Sequence, residues 1–66
     1  MEVTVNGSRR EVPGGLSVQA LVEHVGLTEG PVAVEINGVI IPRARHGEHP
    51  VASGDVVEIV HFVGGG

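Results

Sequence analysis

Three consecutive glycines, Gly64, Gly65 and Gly66, close the sequence and put a carboxylate at the tip of a thread without Cβ atoms. Glycine lets other backbones approach closely, so such an end can enter a narrow cleft. A carboxylate is a poor electrophile at neutral pH. Once activated, its carbonyl is open to attack by an amine or a thiol. The chain itself offers little to interfere with that chemistry. Its 4 basic residues are Arg9, Arg10, Arg43 and Arg45, and it contains neither Lys nor Cys. An activated Gly66 carbonyl therefore meets no side-chain amine or thiol of its own chain. The plain alternatives are a frayed terminus, where disorder usually collects, and a remnant of cloning.

Other reactive residue types form weaker sets. His46 and His49, with Glu48 between them, make an HxxH in a polar stretch. Zinc needs three or four ligands, so without a third the two histidines read as ordinary surface residues and no metal is expected. Gly14-Gly15 is not followed by Gly-Lys-Ser/Thr and does not read as a phosphate loop. No Ser, His and Asp have a reason to converge. Arg43 and Arg45 read as a solvated loop, with contact to an acidic partner as the alternative. The expectation is a protein that is not an enzyme and binds no cofactor of its own.

Composition narrows the class. With 66 residues the chain forms one domain. A domain this small buries only about 60% of its unfolded surface. Without cysteine a hydrophobic core must do the stabilising, and 41% of the residues are hydrophobic. Val dominates that set and favours strands; Phe62 is the sole aromatic. The formal net charge of −4 opposes nucleic-acid binding, which wants a basic face. No run of about 18 apolar residues is present, so no membrane span is expected. Met1-Glu2-Val3-Thr4 has neither a basic start nor an apolar leader, which makes the cytoplasm the default compartment.

The elements that must position the chain end follow from periodicity. Residues 1–6 alternate, with Val3 and Val5 on one face, as in a half-buried strand. Asn6-Gly7 is a two-residue hairpin signal, because a type I′ turn needs positive φ at both central positions. A second strand over 9–12 ends at Pro13-Gly14-Gly15. Ser17 then reads as a helix N-cap, and Leu16 and Leu21 have hydrophobic-staple spacing. Val18, Leu21, Val22 and Val25 make one apolar stripe. Gly26 suits the position after the C-cap. Val32, Val34 and Ile36 alternate in a third strand. Asn37-Gly38 turns it into Val39-Ile40-Ile41, which Pro42 ends. Residues 43–50 read as polar and irregular, and Val51 as a short bridge. Ser53-Gly54-Asp55 leads into the last strand, from Val56 to about Val63.

One helix stripe covers one sheet face, which makes a two-layer α+β domain. The order fits a β-grasp: a mixed sheet of four to five strands on one helix, with the last strand beside the first at the centre. The domain is expected over 1–63, and 64–66 as a flexible glycine tail. Within the last strand Val57, Ile59, His61 and Val63 share one parity; Val56, Glu58, Val60 and Phe62 share the other. Glu58 argues that its set faces outward. Val60 and Phe62 then stand beside the tail as a partner-binding face with Glu58. A bulge would instead flip the register and carry Phe62 into the core.

The run from Val56 to Gly66, the Gly54-Asp55 turn before it, and Glu35-Ile36-Asn37-Gly38-Val39-Ile40-Ile41-Pro42-Arg43 closely resemble the ThiS family of sulfur carriers in thiamine biosynthesis. The resemblance spans essentially the whole chain, including the Val5-Asn6-Gly7 hairpin. It implies a ubiquitin-like β-grasp that is a monomer when free. It implies that the Gly66 carboxylate is adenylated with ATP by an E1-like partner of ThiF type. The adenylate then becomes a thiocarboxylate, whose sulfur goes to a thiazole synthase of ThiG type. Gly65 matches the other half of the family's glycine pair, and Gly64 is additional. A molybdopterin-type carrier shares the fold and the Gly-Gly end. It commonly has prolines before the terminal segment, where this chain has His61-Phe62-Val63. A ubiquitin-like protein modifier, joined to target Lys through Gly66, would use the same activation. A plain β-grasp binding module with an idle tail is the third class.

Overall fold

The computed structural model describes residues 1–62. The boundary expected at 63/64, the glycines 64–66 and any extension of the last strand to Val63 lie outside the described residues. Five strands and one α-helix follow in order: β1 (Glu2–Val5), β2 (Ser8–Glu11), α1 (Val18–His24), β3 (Val32–Ile36), β4 (Val39–Ile41) and β5 (Val56–His61). The sheet order is β2-β1-β5-β3-β4. β5 runs parallel to β1 and antiparallel to β3. The expected α+β β-grasp is thus the observed fold, with the last strand central.

Both Asn-Gly turns form as their chemistry dictates. Asn6 and Asn37 have φ of 49° and 51°, and Gly7 and Gly38 have φ of 83° and 85°. The first closes Val5 onto Ser8 and the second Ile36 onto Val39. The two asparagines do more than turn the chain. The Asn6 side chain donates from Nδ2 to the Ile59 carbonyl at 3.1 Å and accepts from the Ile59 N–H at 2.7 Å. It thus prolongs the β1–β5 ladder past the end of β1. On the other side of β5, Asn37 Oδ1 accepts from the Val56 N–H at 2.9 Å. Its Nδ2 donates to Asp55 Oδ1 at 3.0 Å. Turn propensity alone gave no sign of these bonds.

The helix is short, and a segment of this length does not hold in water without packing. Ser17 Oγ accepts from the Ala20 N–H at 3.1 Å, as expected of an N-cap. At the other end Gly26, with φ of 78°, donates to Glu23 O, and Leu27 donates to Val22 O. That pair of bonds is a Schellman motif, which satisfies carbonyls the helix leaves open. Val18 and Leu21 are fully buried against Val3, Val34 and Val57. Leu16, Val25 and Leu27 close the rim of this core.

Residues 43–50 differ from expectation. Arg43–Arg45 forms a 3-10 turn rather than an irregular loop. The isolated bridge joins Pro50 to Ser17, not Val51; Val51 is buried and donates to Leu16 O at 2.9 Å. The first N–H groups of α1 have no intrahelical partner. Here Val18 donates to His49 O at 2.9 Å and Gln19 to His46 O at 2.8 Å. His46 is not a surface residue: it is 8% exposed, and its Nε2 lies 3.0 Å from Ile41 O. The segment is the strap that binds the helix start to the end of β4. Periodicity is blind to such a strap, because it is made of backbone bonds and one imidazole.

Asn6→Gly keeps the positive-φ turn and removes the amide from Ile59. We expect it to cost ~1–2 kcal/mol, the value of about two hydrogen bonds. Thermal melting should show that loss, and amide exchange at Ile59 should accelerate. An unchanged Ile59 exchange rate would disprove the role of the clamp.

Candidate functional site

β5 alternates strictly. Val57 and Ile59 are buried, whereas Val56, Glu58 and Val60 are exposed. No bulge intervenes, so Phe62 lies outside the core at 57% exposure, and Val60 is 61% exposed. Glu58, Val60 and Phe62, singled out from sequence, therefore share the side of the sheet that α1 does not cover. Gly64, Gly65 and Gly66 lie beyond the described residues.

Cross-strand register brings further residues to this face. Glu58 stands opposite Glu35, and Val60 opposite Ala33. Glu35 is paired on its other side with Ile40, which is 69% exposed. Ala33, Glu35, Ile40, Glu58 and Val60 line one shallow depression. A second one, toward the end of β5, is lined by Ile40, Pro42, Arg43 and Phe62 among others. The Arg43 guanidinium lies 6.0 Å from the centre of the Phe62 ring, at the range of a cation–π contact. Arg43 is solvent-exposed, as expected, and borders this surface. Ile40 was missed because β4 is too short to show alternation. The two-residue Asn-Gly turn carried the signal, since it pairs 36 with 39 and hence 35 with 40.

The surface is open and apolar around two carboxylates. Large side chains such as Ile40, Val60 and Phe62 are seldom left together in water without a use. Among the described residues this face contains no nucleophile–base pair. Among the described residues no group of three or more His, Cys, Asp or Glu is arranged to hold a metal ion. Among them, too, no helix is long and apolar enough to cross a membrane.

The face is open and apolar, and comparison with known proteins gives the family of the chain. The ThiS family model matches residues 3–66. The chain belongs to the ThiS family. It is 44% identical over 50 residues to the sulfur carrier protein ThiS of Bacillus subtilis, with 76% of each chain covered. The crystal structure of the thiamine biosynthesis protein ThiS from Geobacter metallireducens superposes with a TM-score of 0.85, at 35% identity and 100% coverage of both chains. The ThiS-family chain is also 38% identical over 66 residues to a thiazole synthase of Paramagnetospirillum magneticum. It spans only 20% of the length of that relative.

Phe62→Ala and Val60→Ala should each change stability by no more than ~0.5 kcal/mol, as for exposed positions elsewhere. Thermal denaturation checks this. A large fall in Tm would mean that these side chains support the core.

Proposed function

We propose that this ThiS-family chain is a sulfur carrier of thiamine biosynthesis and that its working group is the carboxylate of Gly66. The observation that carries the reading is a family match that continues through residue 66, over all three glycines. An E1-like adenylyltransferase of ThiF type joins the Gly66 carboxylate to AMP from ATP and releases pyrophosphate. A hydrosulfide equivalent attacks the carbonyl, the C–O bond to AMP breaks, and a C-terminal thiocarboxylate remains. That sulfur is a better nucleophile than the carboxylate oxygen, and it passes to a thiazole synthase of ThiG type. A relative in which a sequence of this kind forms part of a thiazole synthase supports that partner.

In this reading the chain is a co-substrate and not an enzyme. It binds no cofactor, and ATP is consumed by the activating partner in the cytoplasm. The domain presents its open face while Gly64, Gly65 and Gly66 enter the partner's site. Glu58, Val60 and Phe62 form the docking face at the base of that segment. Extended, residues 63–66 reach about 13 Å, at ~3.3 Å per residue. Ordering them costs roughly 1–2 kcal/mol per residue, which docking of the folded domain must offset. The missing Lys and Cys protect the activated carbonyl from attack by side chains of its own chain.

Incubation with ThiF-type enzyme, ATP and a sulfur source should add the mass of one oxygen-to-sulfur exchange. Fragmentation must place it on the C-terminal peptide, since oxidation of Met1 gives nearly the same nominal change. Deleting Gly65 and Gly66 should abolish the product while leaving the Tm unaltered. An unmodified C-terminal peptide from the intact chain under these conditions would overturn the carrier reading.

A further inference from the structure

Glu35 and Glu58 stand directly opposite each other on adjacent strands. Both lie on the open face, Glu58 exposed and Glu35 half-buried. Opposed like charges weaken a sheet, and among the described residues no ion pair neutralises this one. The ion pair found among the described residues joins the Met1 ammonium to Glu11, at the β2 edge. By register the nearest arginine on this face at that edge is Arg9, opposite Thr4 and beyond β1. Arg43 lies over the Phe62 ring instead. Two carboxylates are thus held side by side within an apolar border of Ile40, Val60 and Ala33.

We infer that the open face docks a protein surface that inserts an arginine between Glu35 and Glu58 and packs apolar side chains on Ile40, Val60 and Phe62. The inference rests on the carrier reading above and assigns the surface to the activating enzyme. β5 carries both Glu58 and the route to Gly66, which lies about 13 Å beyond Phe62 when extended. An enzyme that holds the Gly66 carbonyl must overlie this end of the sheet. Charge selects the cation, since two carboxylates without a partner call for a basic group. Shape selects arginine, whose planar fork donates to two carboxylates at once and tolerates an apolar border better than an ammonium does. The like-charge repulsion that weakens the lone sheet becomes attraction in the complex. Recognition of this kind acts on encounter and on salt dependence.

The test is ATP–pyrophosphate exchange by the ThiF-type adenylyltransferase, with the full chain as co-substrate. Glu35→Gln/Glu58→Gln should raise KM for the chain about tenfold or more at unchanged kcat, as loss of a desolvated charge contact does. Its Tm should stay the same or rise. Wild-type KM should climb with salt between about 0.05 and 0.5 M, and the double variant should show a shallower slope. Glu23→Gln, a charge lost from the helix side, should leave KM unchanged. An unaltered KM and salt slope in the double variant, with exchange intact, overturns this inference and leaves the carrier reading standing. An equal effect from Glu23→Gln overturns it too, because net charge alone would then explain the result. Absence of exchange with the wild-type chain overturns both.

Discussion

The structure depends on how the last strand is held. β5 lies between β1 and β3, so its backbone is paired on both sides, parallel on one and antiparallel on the other. β1–β5 pairing is brief by register, Thr4 with Val56 and Val5 with Val57. Asn6 lengthens it with a side-chain amide that imitates a strand backbone at Ile59. Asn37 fastens the start of β5 from the other flank. Two turn residues thus act as clamps on a strand 19 and 53 positions away in sequence. The clamps use bonds to backbone, so they fix the alternation of β5 without regard to its side chains.

The docking face proposed for this chain rests on that alternation. Val57 and Ile59 enter the core under α1, and Glu58, Val60 and Phe62 are thereby turned outward. One seven-residue helix covers one face of five strands and leaves the other bare. In the proposed function the bare face serves docking, and the chemistry needs no pocket of its own. The separation suits a carrier: a fixed domain for recognition, and a glycine segment for entry into another protein's site.

The elements were largely legible because their signals are local. Alternation in β1, β3 and β5, the two Asn-Gly turns, the Ser17 cap and the Gly26 stop each depend on a few neighbouring residues. What was missed is nonlocal. His46 looked like a surface residue beside His49, yet it is buried with Nε2 on Ile41 O. Pro50, not Val51, bridges to Ser17, because the strap meets the helix start through backbone atoms whose position no side chain announces. Arg43 is solvated as read, but its approach to the Phe62 ring was not legible. Ile40 became part of the site only through its pairing with Glu35.

The sequence by itself determined the α+β class and the order of elements, and its resemblance to the ThiS family carried the chemistry proposed for the chain end. Class and order follow from backbone conformational preferences and hydrophobic period, which a residue carries wherever it is placed. Only the tertiary structure decided that β5 keeps its register without a bulge, that two asparagines clamp it, and that Glu35 and Glu58 meet without a counter-ion among the described residues. Those depend on which strands become neighbours. Pairing is set by the packing of the whole core, and no short window of sequence contains it.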